Sequence, residues 1–292
     1  MIKVDFLICG RRGFNVLKKF IETFGAEVIN HVASYPDKNV LNDPYEELQA
    51  FCKAQFIPLF TKQNYTLTDN IFRLLIGWQY IIEADGKTIV LHDSLLPKYR
   101  GFAPLVNSLI KGEKEIGVTA FIATDEFDEG PVISQESIVV NYPVTILQAM
   151  ELITPLYSQI CVFIFKQLQE HAKLTATDQN HSLATYSLWR DENDFSIDWN
   201  RPSNEIKRKI DAVGYPYKGA ATFLNNESVT IISAEIFEDV TIENRDIGKV
   251  IFVKNGCPVI VCNDGLIKIT EAYFTESGKP VIPFSKIRSR FH

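Results

Sequence analysis

Apolar residues in the first half of the chain fall into two alternating patterns. Short, mainly apolar runs at residues 4–9, 28–34, 56–59, 72–76 and 88–91 have the length and bounding turn residues of buried strands. Between them, Phe14, Leu17, Phe20, Ile21 and Phe24 recur at helical spacing, and Gly25 stops that helix. Residues 45–55 read as a second helix, with Asp43 as N-cap and Pro44 at the first helical position. Strand and helix in alternation predict a mostly parallel sheet with helices on both faces. A short helix at 105–110 and a polar turn at 111–116 come next. A strand pair at 118–124 and 132–140 is joined by residues 125–131. A long helix then spans about 144–170, with Pro155 as a point of kink or break.

The pattern changes after residue 173. Residues 173–185 are polar and read as a linker. One helix at about 202–212 precedes short strands near 220–224, 229–237, 248–253, 259–262 and 266–273. Asn225-Asn226 and Asn263-Asp264-Gly265 punctuate them, and this spacing predicts a small barrel or sandwich. The expected fold is therefore α/β. A Rossmann-like, mostly parallel sheet at 1–175 is followed by a smaller C-terminal β-rich, barrel-like domain at 186–292.

Composition narrows the class. The 292 residues are 46% hydrophobic and 23% charged, with a mean hydropathy of −0.01, as in an ordinary globular chain. No run approaches 18 apolar residues, which predicts no membrane-spanning helix, and the first residues lack a signal-peptide pattern. A net charge of −6 disfavours broad electrostatic binding to nucleic acid. Five widely spread cysteines, an odd number, predict neither a disulfide framework nor a metal site and point to a reducing, cytoplasmic setting.

Open parallel sheets bind ligands beyond the carboxyl ends of their strands. Two polar stretches stand at such ends. One runs from His92 to Gly101. The other, 124–131, holds Asp125, Glu126, Asp128 and Glu129. Imidazole titrates near neutrality, so His92 is a candidate acid or base. On position alone, a core histidine bonded to a carbonyl and a solvated acidic turn are the plainer readings. The first strand runs into Gly10-Arg11-Arg12-Gly13-Phe14-Asn15. That is not a dinucleotide fingerprint. It is either a phosphate cradle at a helix N-terminus or a solvated basic turn.

Three motifs in order carry a resemblance: His92-x-Ser94-Leu95-Leu96-Pro97-x-Tyr99-Arg100-Gly101-x-Ala103-Pro104, Gly117-Val118-Thr119 and Asp128-x-Gly130. Together they resemble the formyltransferases that use 10-formyltetrahydrofolate. Ile197-Asp198-Trp199 and Ala212-Val213-x-x-Pro216-Tyr217-x-Gly219-Ala220 look like a later shared region. That region is common to methionyl-tRNA formyltransferases and the enzyme that formylates an aminoarabinose sugar nucleotide. The resemblance implies His92 and Asp128 as the catalytic pair. It implies a folate site from Trp78, Gln79, Tyr80 and Ile82 on one loop and Thr124, Asp125, Glu126 and Asp128 on the other. It further implies attack of a primary amine on the formyl carbon through a tetrahedral oxyanion. Asp128 would orient His92 and take the amine proton, and His92 would donate to the oxyanion or the departing nitrogen.

The family's asparagine, two residues before the histidine, is Val90 here, so one expected oxyanion donor is absent. Asn107 lies nearby in sequence. A nucleotide-linked amino sugar is the expected acceptor, with Arg11, Arg12, Gly13, Phe14 and Asn15 as its candidate contacts. Residues 185–292 hold 14 Lys and Arg against 15 Asp and Glu, where tRNA binding calls for a basic face. The 97–101 loop also resembles the sugar-modifying branch. Methionyl-tRNA ranks second and glycinamide ribonucleotide third. Given Val90, a formyl-folate hydrolase and a catalytically degenerate folate-binding protein are further alternatives.

Overall fold

The computed structural model describes residues 2–82, 84–171 and 173–292. Two compact units divide the chain. The first comprises Met1–Leu105, Glu115–Val140 and Ala149–Leu188, the second Val106–Lys114, Asn141–Gln148 and Trp189–His292.

In the first unit the apolar runs become strands because burial on both sheet faces demands them. Its elements begin with β1 (Val4–Ile8), α1 (Gly10–Phe24), β2 (Ile29–Ser34), α2 (Tyr45–Ala54), β3 (Leu59–Thr61), β4 (Phe72–Ile76) and β5 (Thr88–His92). β6 (Arg100–Gly101), α3 (Pro104–Lys111), β7 (Glu115–Ile122), β8 (Val132–Val139), α4 (Ile146–His171) and β9 (Tyr186–Ser187) follow. The seven-stranded sheet has the order β3-β2-β1-β4-β5-β7-β8. It is parallel through β5, and β7 and β8 add an antiparallel edge. The order reverses between β1 and β4, which opens the ligand crevice of such sheets beyond their carboxyl ends.

Five expectations change. The strand expected at 56–59 starts only at Leu59, because Phe56 turns the chain at φ 57°, bonds its amide to the Lys53 carbonyl and exposes its ring. The turn expected at 111–116 shortens, since Glu115 and Ile116 already pair with Val139 and Ile138. α4 continues through Pro155, held by a buried face that includes Ile153, Tyr157, Ile160 and Ile164. This 26-residue helix is also long and apolar enough to cross a membrane on length and composition alone, against the sequence expectation. The polar stretch read as a linker is bound to the first unit, with Thr177 and Val132 exchanging two backbone hydrogen bonds of 2.8 Å.

The second unit carries α5 (Ser203–Ala212) and the strands β10 (Ala220–Leu224), β11 (Glu227–Phe237), β12 (Val250–Lys254), β13 (Cys257–Val261) and β14 (Leu266–Phe274). They form one antiparallel sheet in the order β10-β11-β14-β13-β12. Its two edges meet the same segment. The Phe223 and His292 amides bond each other's carbonyls at 2.9 and 3.0 Å on the β10 side. The Val250 amide reaches the Ser289 carbonyl, and Phe291 N–H the Gly248 carbonyl, on the β12 side. Residues 289–292 therefore close the sheet into a barrel. Phe291, buried beside Trp199 and Phe284, anchors the closure.

Candidate active site

β5 ends on His92, whose buried ring emerges at the carboxyl edge of the sheet. Its Nε2 lies 2.9 Å from the Tyr99 carbonyl. A carbonyl only accepts, so Nε2 carries the proton in the neutral ring and Nδ1 is left as the base. Nδ1 stands 3.7 Å from Oδ2 of Asp128. That oxygen accepts the Gly101 N–H at 2.7 Å. Asp128 sits at φ 56°, in the left-handed region. Two residues on, a Cβ at Gly130 would fall 1.7 Å from the Ile122 carbonyl oxygen, so the Asp-x-Gly spacing has a steric cause.

A second layer holds this turn. The Gln179 amide donates to the carbonyls of Asp128 and Gly130 at 2.9 and 2.8 Å, and its oxygen accepts from Arg100 at 2.8 Å. Arg100 is fully buried and pairs with Glu129 at 2.8 Å, and His181 lies 3.2 Å from the same carboxylate. Sequence reading missed Gln179 and His181, which lie in the supposed linker. Arg100 was the available signal, because a buried guanidinium calls for a carboxylate and planar acceptors. The other motif residues brace the loop after His92. Thr119 Oγ1 donates to the Ser94 carbonyl at 2.6 Å and accepts from Leu96 N–H and Gln135. A Cβ on Gly117 would meet the Glu136 carbonyl at 2.3 Å.

Val90 is two positions before His92 and therefore on the same sheet face. It packs with Leu7, Ala33, Leu75, Trp78 and Ile82. Asn107 belongs to the second unit, where its side-chain oxygen accepts from Arg190. Beyond β4, Gly77 turns at φ 67°, with room for only a hydrogen beside the Cys9 carbonyl. Trp78 and Tyr80 follow and stack edge-on against Tyr35, at 5.3 and 4.9 Å. The Gln79 amide bonds the Tyr35 hydroxyl at 3.1 Å, and Lys62 Nζ lies 3.2 Å from the Tyr80 ring centroid. Burial holds the Tyr35 phenol well above its ordinary pKa, so it stays protonated. Tyr35 and Lys62 carry no sequence motif and were not anticipated. Thr124, Asp125 and Glu126 are exposed on the second loop, where the Thr124 hydroxyl donates to the Glu126 carbonyl.

Residues 10–15 form the start of α1, and their side chains divide. Arg12 pairs with Asp93, the neighbour of His92, at 2.7 Å and lies over the Tyr157 ring. Tyr157 donates its hydroxyl to the same Asp93. Arg11 forks onto Glu47 at the surface, at 2.6 Å to each oxygen. Gly13 is pressed against Ile8, Phe14 packs edge-on with Phe51, and Asn15 is half-buried. Arg12 is thus brought to the loop behind His92, whereas Gly13 and Phe14 serve packing. Among the described residues, no three His, Cys, Asp or Glu side chains gather as a metal site.

Residues 70–154 match the Formyl transferase family, and residues 190–284 match Formyl transferase, C-terminal domain. The chain belongs to the formyl transferase family. Among similar formyl transferases, the methionyl-tRNA formyltransferase of Fervidobacterium nodosum is 34% identical over 199 residues. That match covers 66% of this chain and 61% of that protein. The methionyl-tRNA formyltransferase of Treponema denticola is 29% identical, over 62% of this chain and 57% of its own length. This formyl transferase thus spans about three-fifths of the length of these curated relatives. Two solved structures share its fold over nearly their whole length. One is a sugar 3N-formyl transferase in the presence of dTDP and 5-N-formyl-THF, with TM-score 0.66, 20% identity, and coverage of 92% of this chain and 97% of that one. The other is the N-formyltransferase from Helicobacter canadensis in complex with folinic acid and dTDP-3-aminofucose, with TM-score 0.64, 21% identity, and coverage of 92% and 99%.

Proposed function

We propose that this formyl transferase moves a formyl group from 10-formyltetrahydrofolate to the primary amine of a nucleotide-linked amino sugar. The observation that carries the reading is the His92–Asp128 pair, oriented by backbone groups at the carboxyl edge of the sheet. The folate fits the residues beside that pair. Trp78 Nε1 is a buried donor without a partner, next to the half-open Tyr80 ring, and a pterin offers a flat face edged with acceptors. Trp78, Gln79, Tyr80 and Ile82 would hold it from one side, and Thr124, Asp125, Glu126 and Asp128 from the other. When bound, the folate supplies an activated one-carbon unit on nitrogen.

An amine that becomes an amide loses a proton, and the site has two places for it. Nδ1 of His92 is the unprotonated ring atom, and Oδ2 of Asp128 is held 3.7 Å away by the Gly101 amide. The carboxylate stabilises an imidazolium formed at Nδ1, the Tyr99 carbonyl keeps the ring oriented, and the proton would then pass to the departing folate nitrogen. Val90 offers no donor, so polarisation of the formyl oxygen falls to backbone N–H groups.

Agreement with two sugar N-formyltransferases over 97 and 99% of their length supports the amino-sugar acceptor. So does the charge of residues 185–292, with 14 basic against 15 acidic side chains. Methionyl-tRNA is the second reading, favoured by the 34% identity to a methionyl-tRNA formyltransferase. Incubation of the protein with labelled 10-formyltetrahydrofolate and each acceptor in turn decides between them. We expect label in a dTDP- or UDP-linked amino sugar and none in methionyl-tRNA, and label in tRNA alone reverses the order.

A further inference from the structure

The second unit carries a half-open cavity of about 480 Å3, within the range of small-molecule sites. Five cations line it: Lys111, Arg190, Arg201, Arg208 and Lys209. Only two lining residues, Asp198 and Glu205, are acidic, and both are taken up by Arg201, at 3.4 and 3.9 Å. Among the described residues, the hydrogen bonds of the deeper cations go to neutral acceptors. Arg190 donates to the Asn107 side chain, Arg208 to the Ile110 carbonyl at 3.1 Å, and Lys209 to the Ser196 carbonyl. The Asp194 carboxylate, which accepts the Asp191 amide at 2.8 Å, offsets part of the charge of Arg190 and Lys209, and Asp198 part of that of Lys209.

Such an arrangement is costly without a counter-charge. Removing cations from water while matching them only with dipoles disfavours their charged forms. Burial holds the Arg190 guanidinium below its ordinary pKa, and burial and then the Arg190 charge do the same to Lys209. Arg190 Nε is moreover a buried donor with no partner. Positive charge therefore outweighs negative in the lining, and the orphaned Arg190 N–H lies with it beside an apolar wall of Ile110, Ile197 and Ile206. We propose that this cavity is an anion site that takes a small ligand bearing a diphosphate group. Guanidinium forks and an ammonium suit that chemistry, and the volume admits a nucleotide-sized molecule but no folded nucleic acid. The lining belongs wholly to the second unit, and the inference does not depend on the acceptor proposed above.

Calorimetric titration of the full chain with inorganic diphosphate, and then with a nucleoside diphosphate, tests it. We expect saturable binding that weakens with salt. It should fall by roughly tenfold in Arg190→Gln or Lys209→Gln and survive in Arg12→Gln, which alters the start of α1. Lys111→Ala, at the exposed rim, repeats the test with a side chain that does not support the fold. In the absence of ligand, Lys209→Gln should leave Tm nearly unchanged, because the side chain is only half-buried and its charge is crowded by Arg190. That result sets a ligand site apart from a structural role, in which Tm and binding fall together. Tighter binding of the nucleoside diphosphate than of inorganic diphosphate assigns the isoleucine wall to the base, and equal affinity assigns the site to the diphosphate alone. No saturable binding at millimolar diphosphate overturns the proposal. So does binding lost in Arg12→Gln yet kept in Arg190→Gln, or binding of tRNA with none of diphosphate.

Discussion

The Tyr99 carbonyl decides which nitrogen of His92 is available. By holding the proton of the neutral ring on Nε2 it leaves Nδ1 to face Asp128, the arrangement on which the proposed proton transfer rests. His92→Ala and Asp128→Ala should each lower kcat by roughly a hundredfold or more, with circular dichroism and Tm showing an intact fold. Steady-state rates with a saturating amine acceptor check this, and a loss below tenfold removes the pair from the chemistry. Val90 is the residue at which the family pattern and this chain part. Its apolar surroundings leave an amide at that position without partners, so Val90→Asn should cost about 1–3 kcal/mol of stability. It should also change kcat by less than about tenfold if a backbone N–H already serves the oxygen. Denaturant melts and turnover read the two effects separately, and a large gain in rate would show that the donor was never replaced.

At the scale of elements, the β7–β8 connection is where local rules are overridden. Four carboxylates in one short loop repel one another unless some are engaged, and two are: Asp128 by the Gly101 amide, Glu129 by Arg100. Gln179 joins them by donating to carbonyls on either side of the turn. Gln179→Leu removes that donor pair and should cost about 2–3 kcal/mol, because two buried carbonyls and part of a buried guanidinium lose their partner. Its kcat should fall further than its KM for the amine changes, since Asp128 is displaced while the acceptor contacts are not. Equal kcat in the variant and the natural protein argues against a positioning role. The strands of the parallel sheet were legible because burial on both faces writes a mainly apolar run into β1 and β4, broken only by the buried Asp5 and Arg73. β6 and β9 were not, for two residues joined through the backbone leave no side-chain period. Phe56 misled because an aromatic residue in a left-handed turn looks like the start of a strand. His92 and Asp128 were legible through their motifs, whereas Gln179 gains its meaning only from a partner 51 residues away.

For the whole molecule, the cysteines give a simple test of packing. Cys9, Cys52, Cys161 and Cys262 are buried, and Cys257 alone is partly open. Burial pushes the Cys9 and Cys262 thiols up to about 12 and Cys52 up to about 11, so the nucleophilic thiolate is suppressed at those sites. A disulfide reagent at pH 8 should therefore modify one thiol quickly in the native protein and all five once it is unfolded. Two or more fast-reacting thiols in the native state would contradict the packing described. The barrel closure carries a different kind of consequence. β10 and β12 become partners of residues 289–292 only when those residues exist as free chain. During synthesis the first unit's sheet, made entirely from the first 139 residues, can assemble while translation continues. The second unit then waits on the ribosome with two unpaired strand edges, and a stall or frameshift shortly before residue 289 would release a chain whose catalytic sheet is complete but whose barrel remains open to pairing with another copy.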